Sequence, residues 1–126
     1  MANTPDRGPL PLTSDMADRI DWQKGEGLVP AIVQNAEDDQ VLMLGYMNRD
    51  ALMATLESSY VTFYSRSKKR LWMKGESSGN KLAFVDGAMD CDGDTLLVRV
   101  RPAGPACHTG ARTCFGDSLP QGAGFL

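Results

Sequence analysis

One histidine, three cysteines and 7% aromatic residues are all that a chain of 126 residues carries of its most chemically distinctive side chains. Long hydrophobic runs are missing too: the longest, residues 41–47, has seven positions and includes Gly45. A membrane-spanning helix needs about 20 consecutive apolar residues, so no membrane partner is expected. Residues 1–9 contain no apolar stretch of the kind a signal peptide requires, which points to a cytoplasmic protein. Three cysteines are too few for a disulfide scaffold and cannot all pair with one another, which leaves metal binding or catalysis as their uses in a reducing compartment. Neither sign of charge dominates. Thirteen Lys and Arg against 16 Asp and Glu give a net −3, which argues against a broad nucleic-acid-binding surface.

What is present fits one small globular domain: 42% hydrophobic and 23% charged residues are ordinary proportions. A core of this size is modest and gains from dimerisation or a bound metal. Pro5, Pro9 and Pro11 mark residues 1–13 as a mobile N-terminal arm, leaving 14–126 as the domain. Residues 28–34 and 40–46 are rich in strand formers and flank an Asn-Ala-Glu-Asp-Asp turn, which predicts a hairpin. Asn48 suits a helix N-cap, with Leu52, Met53 and Leu56 at helical spacing and an end near Ser58 or Ser59. Further strands are expected at 60–66, 81–85 and 95–101. From Pro102 onward, three prolines and five glycines in 25 residues exclude long regular elements. The expected class is α+β: a β-rich single domain with one or two short helices.

Three segments carry chemistry. Asp90-Cys91-Asp92-Gly93-Asp94 concentrates three carboxylates within five positions, a charge that calls for a cation. It lacks the Gly and Glu that a calcium-binding EF-hand loop requires further on, where Thr95 and Arg101 stand instead. If the segment is extended, Asp90, Asp92 and Asp94 share one face and Cys91 turns to the other, so oxygen and sulfur ligands would serve different metals. Cys107 and Cys114 bracket His108, the sole histidine. With Cys91 they make three sulfur ligands, leaving the fourth position of a zinc site to His108, in a closed structural centre, or to water, in an open catalytic one. In the open case His108 stands beside the metal as a proton carrier. Residues 66–74 then hold five of the 13 basic side chains. A phosphate-binding loop would use Arg66 and Lys74 as cations, Ser65, Ser67, Ser77 and Ser78 as hydroxyl donors and Gly75 or Gly79 for close backbone approach, with Trp72 to stack on a base and Glu76 in the same stretch. A basic surface loop with Trp72 partly in the core is the plainer alternative.

Taken in order, the strings VPAIVQ, VLMLGYMN, YSRS, LWMKGESSGN, DCDGD and GPACHTGARTCF resemble the phosphoribosyl-AMP cyclohydrolase family of histidine biosynthesis, over residues 28–115. The resemblance implies that Asp90, Asp92 and Asp94 bind Mg2+ and that Cys91, Cys107 and Cys114 bind Zn2+. It also implies a homodimer in which Cys91 joins the two other thiolates of the partner chain. The implied reaction is hydrolytic opening of the adenine ring of 1-(5-phosphoribosyl)-AMP between N1 and C6, with His108 moving protons and the basic segment holding the two phosphates. The chain length suggests a monofunctional form. A purine or cytidine deaminase, the nearest rival chemistry, needs H-x-E and C-x-x-C, whereas Thr109 and Gly110 follow His108.

Overall fold

In the computed structural model the described residues are 10–115. Strands β2 (Val29–Asn35) and β3 (Val41–Met47) form the expected antiparallel hairpin, Val29 opposite Met47. On β2 the side chains alternate, with Val29, Ala31 and Val33 at most 1% exposed, the period-two signature of a strand with one covered face. β7 (Leu96–Pro102) runs parallel to β2 and contributes Leu96, Val98 and Val100 to the same buried layer. β6 (Leu82–Met89) is antiparallel to β7, and β1 (Leu10–Pro11) pairs along its outer side, Leu10 opposite Met89. The five-stranded order is therefore β1-β6-β7-β2-β3.

Between β3 and β6 the chain makes helix α1 (Arg49–Ser58) and a two-stranded ribbon, β4 (Thr62–Ser65) and β5 (Arg70–Met73). Asn48 is the N-cap, its side chain accepting from the Ala51 N–H at 2.8 Å, and Ser59 closes the helix in the left-handed region at φ 68°. Ala51, Leu52 and Thr55 face the core beside Val61 and Phe63. Burial of each such large apolar side chain is worth about 1.5–3 kcal/mol, so this sheet-and-helix layer is the main source of stability.

The fold is β-rich with two short helices, as expected; the second is a 3-10 helix, Ser14–Arg19, that the sequence pattern did not reveal. Residues 81–85 were expected to be a strand, and β6 continues to Met89 through an irregularity between Phe84 and Asp86. Of the arm expected at 1–13, residues 10–12 are fastened to the sheet: the Leu12 N–H donates to Gly87 O at 3.0 Å and Leu12 is 5% exposed. Residues 1–9 of that arm, and the end of the expected domain beyond 115, lie outside the described residues. Among the described residues no helix is long and apolar enough to cross a membrane.

Candidate active and metal-binding site

The acidic segment departs from the extended form. It is the turn that joins β6 to β7: the Asp90 N–H donates to Thr95 O at 3.0 Å and the Gly93 N–H to Asp90 O at 3.1 Å. Asp90 Oδ1 in turn accepts from the N–H groups of Asp94 and Thr95, at 2.9 and 3.2 Å. An aspartate that captures backbone donors ahead of it stabilises a turn over a strand, and the period-two argument for the segment fails for that reason. Gly93, at φ 72°, is the residue this turn demands, and a Cβ there would lie 2.8 Å from Arg19 O.

The carboxylates converge all the same. One oxygen from each of Asp90, Asp92 and Asp94 lies within 4.8 Å of the others. The Lys24 ammonium sits against them, 2.5 Å from Asp94 Oδ2 and 3.5 Å from Asp92 Oδ2. Its hydrogen bond holds the Asp94 carboxyl down to about 2, and the same contact raises the Lys24 pKa. Desolvation pushes Asp90 the other way, above its ordinary value, against the pull of the Asp94 backbone donor. An all-oxygen set of this kind fits a hard divalent cation such as Mg2+.

Cys107 and Cys114 are brought together by a tight loop beyond β7. The Ala106 and Cys107 N–H groups donate to Arg112 O and Ala111 O, and the Gly110 N–H to Cys107 O, at 3.2, 3.1 and 3.0 Å, which closes a turn with His108 and Thr109 at its exposed tip. The loop is pinned at two points. Cys114 N–H donates to Leu42 O at 2.7 Å, and Arg112 Nη2 reaches Gln40 Oε1 at 2.8 Å. The Thr109 hydroxyl donates to Cys107 Sγ at 3.1 Å and lowers that thiol's pKa, with smaller help from Cys114 and the Lys74 charge. Burial, then the hydrogen bond and charge of Cys107, raise Cys114. Cys107 is thus the first of the pair to lose its proton, and the thiolate is the form of cysteine that suits a soft metal.

Cys91 is not with them. It lies exposed in the turn before β7, while the Cys107–Cys114 loop follows β7 and is held by Gln40, close to where Asn35 pairs with Val100 near that strand's end. A strand of this length spans roughly 20 Å, against zinc–sulfur bonds of about 2.3 Å. Among the described residues the sole group of three or more possible ligands is the aspartate triad.

The basic segment, expected as a loop, contains β5, and the ribbon borders two cavities. One, of about 450 Å³, is lined by Ser65, Trp72, Lys74, Gly75, Glu76, Ser77 and Ser78 of the expected substrate residues, and by Lys68 and Arg70. The other, of about 620 Å³, takes Arg66, Ser67 and Trp72 together with Tyr46, Phe63 and Tyr64. The expected substrate residues are therefore divided between two hollows, with Trp72 bordering both. Arg66 is stacked over the Tyr46 ring at 4.3 Å, and Lys74 lies 5.7 Å from the Trp72 ring centroid. Glu76 is committed within the loop: its Oε1 accepts from the Met73 N–H at 3.0 Å and its Oε2 lies 3.8 Å from Arg70. Lys74 lines the first cavity, and its charge is the smallest of the influences on the Cys107 and Cys114 thiols.

A profile of the phosphoribosyl-AMP cyclohydrolase family matches residues 43–116, which include the ribbon, the aspartate turn and the thiol loop. The chain belongs to this family. Its curated relatives include the histidine biosynthesis bifunctional protein HisIE of Vibrio cholerae serotype O1, 62% identical over 114 residues, 90% of this chain and 54% of that protein. The protein of the same name from Vibrio vulnificus strain YJ016 is 60% identical over 108 residues, 86% of this chain and 51% of its own length. That of Escherichia coli K12 is 57% identical over 110 residues, 87% and 54% respectively. The chain thus spans about half the length of the curated relatives it matches.

In this member of the family, Lys24 and Tyr46 are the neighbours of the candidate site that sequence reasoning missed. Lys24 is 70 positions from Asp94, and nothing in its local sequence announces the contact. Tyr46 closes the VLMLGY strand pattern, which gives no sign that Arg66 stacks on its ring.

Proposed function

We propose that this chain is a zinc- and magnesium-dependent hydrolase that opens the adenine ring of 1-(5-phosphoribosyl)-AMP between N1 and C6, in L-histidine biosynthesis, and that it works as a homodimer. The observation that carries the proposal is the match of residues 43–116 to the phosphoribosyl-AMP cyclohydrolase family, a span that holds the cation-lined cavity, the aspartate turn and the Cys107–Cys114 loop. A hollow for phosphate and a pair of thiols for a metal are the two parts such a site would need.

The substrate fits that pairing. Ribosylation at N1 turns its base into an activated amidine with a phosphate at either end of the molecule. Lys68, Arg70 and Lys74 line one cavity and Arg66 the other, so each hollow has guanidinium or ammonium donors for a phosphate. Trp72, between them, offers a face for the base. His108, exposed at the tip of its turn beside Cys107, would take the proton from the attacking water and deliver it to N1 as the N1–C6 bond breaks. Zinc held by Cys107, Cys114 and a Cys91 would supply the Lewis acidity that makes water a nucleophile near neutral pH. Magnesium on Asp90, Asp92 and Asp94 would supply positive charge for the anionic substrate. Cys91, beyond the reach of Cys107 and Cys114 in its own chain, supports a site completed by the partner subunit.

The test is an ultraviolet assay with phosphoribosyl-AMP, before and after chelation. Turnover that chelator abolishes and added Zn2+ with Mg2+ restores is the expected result. Activity indifferent to metal removal would refute the metal dependence, and no turnover by the metal-replete protein would refute the assignment.

A further inference from the structure

Three carboxylates crowded into one turn repel one another, and their mutual approach needs a positive charge between them. Lys24 provides it. Its ammonium contacts Asp94 Oδ2 at 2.5 Å and Asp92 Oδ2 at 3.5 Å, two of the carboxylates a divalent ion would use. The contact is built into the fold. The Asp21 N–H donates to Gly93 O at 2.7 Å, which docks the segment before Lys24 on the acidic turn. The Lys24 N–H donates to Asp21 Oδ1 at 3.1 Å, and the Gly27 N–H closes the loop on Trp22 O at 2.6 Å. The bare faces of Gly93 and Gly25 permit this packing, the first against Arg19 O and the second against Leu28 O. A carboxylate oxygen already bonded to an ammonium cannot also bind a divalent cation at about 2.1 Å without placing two positive centres side by side.

We propose that Lys24 is an internal counter-cation of the aspartate turn, which holds Asp92 and Asp94 in place when the divalent ion is away and is expelled when the ion binds. This rests on the magnesium site of the preceding section and adds a residue that sets its affinity. The Lys24 side chain is 55% exposed, so it can swing into water without disturbing the core. Binding and stability are then linked: the interaction lost from the metal-free protein in a Lys24 variant returns as tighter metal binding.

The experiment uses the zinc-loaded protein, with zinc content verified, and reads Mn2+ binding by electron paramagnetic resonance with Mg2+ as competitor. Lys24→Met should bind Mn2+ roughly fivefold more tightly than wild type, the scale of an exposed ion pair. Lys24→Arg, which keeps the charge, should stay near wild type. Lys24→Met should also lower the melting temperature without divalent ion, and saturating Mg2+ should erase that difference. Equal or weaker Mn2+ binding by Lys24→Met, or a melting deficit that persists in Mg2+, overturns the proposal by making Lys24 a structural tie. Asp92→Asn separates the two ideas: undiminished Mn2+ binding in that variant removes the aspartate site itself, and the role of Lys24 with it.

Discussion

His108 and Cys107 adjoin in sequence and differ in commitment: the thiol accepts the Thr109 hydroxyl, whereas the imidazole stands exposed at the tip of the turn. An exposed ring can be removed without loss of packing. His108→Ala should therefore keep the fold and the bound zinc while turnover falls about a hundredfold or more, the usual scale of a general acid–base group. Metal analysis and circular dichroism alongside kinetics decide it, and simultaneous loss of zinc and structure would put His108 in the coordination sphere. Arg66 belongs to a different class of contact, being stacked on the Tyr46 ring. Arg66→Ala should raise KM by about tenfold with a smaller change in kcat, because its phosphate contact would be equal in ground and transition states. Unchanged steady-state kinetics would return Arg66 to the surface. These residues could be picked out in the sequence because their side-chain chemistry is unusual wherever it occurs. Lys24 could not, since a lysine acquires its role here only from partners 68 and 70 positions away, Asp92 and Asp94.

Elements were legible where a local signal agreed with packing. Asn48 at the start of α1 and the alternation along β2 are of that kind. The ribbon was only half legible: β4 shows alternation, but β5 is Arg-Leu-Trp-Met, with a basic start that suits a loop equally well, and only pairing with β4 makes it a strand. The aspartate turn was misjudged because its determinant is a side chain bonding to backbone, which hydrophobic period does not report. What ties α1 to the ribbon is a similar contact that is invisible in sequence. Thr55, fully buried, donates its hydroxyl to Ala51 O at 2.9 Å and accepts from the Thr62 N–H at 2.9 Å. Thr55→Val keeps the shape but strands a buried N–H, so it should destabilise by about 1–3 kcal/mol. Urea unfolding measures it, and an unchanged midpoint would mean that water or a backbone shift satisfies Thr62.

At the scale of the molecule, β7 separates the two clusters of chemistry: the aspartate turn with Cys91 precedes the strand and the Cys107–Cys114 loop follows it. In the homodimer proposed above a thiolate triad would be assembled between chains, and two-fold symmetry would make two such sites. Cys91→Ala and Cys107→Ala homodimers should each be inactive, since neither offers a complete set of thiolates. Mixed dimers differ. The Cys91→Ala chain still brings Cys107 and Cys114, the Cys107→Ala chain still brings Cys91, and together they complete one site of the two. Random reassortment of equal amounts makes about half of the dimers mixed, so co-refolding the two dead variants should restore roughly a quarter of wild-type activity. A site formed within one chain restores none. Native mass spectrometry verifies the mixed species, and an inactive sample in which they are abundant would exclude the shared site.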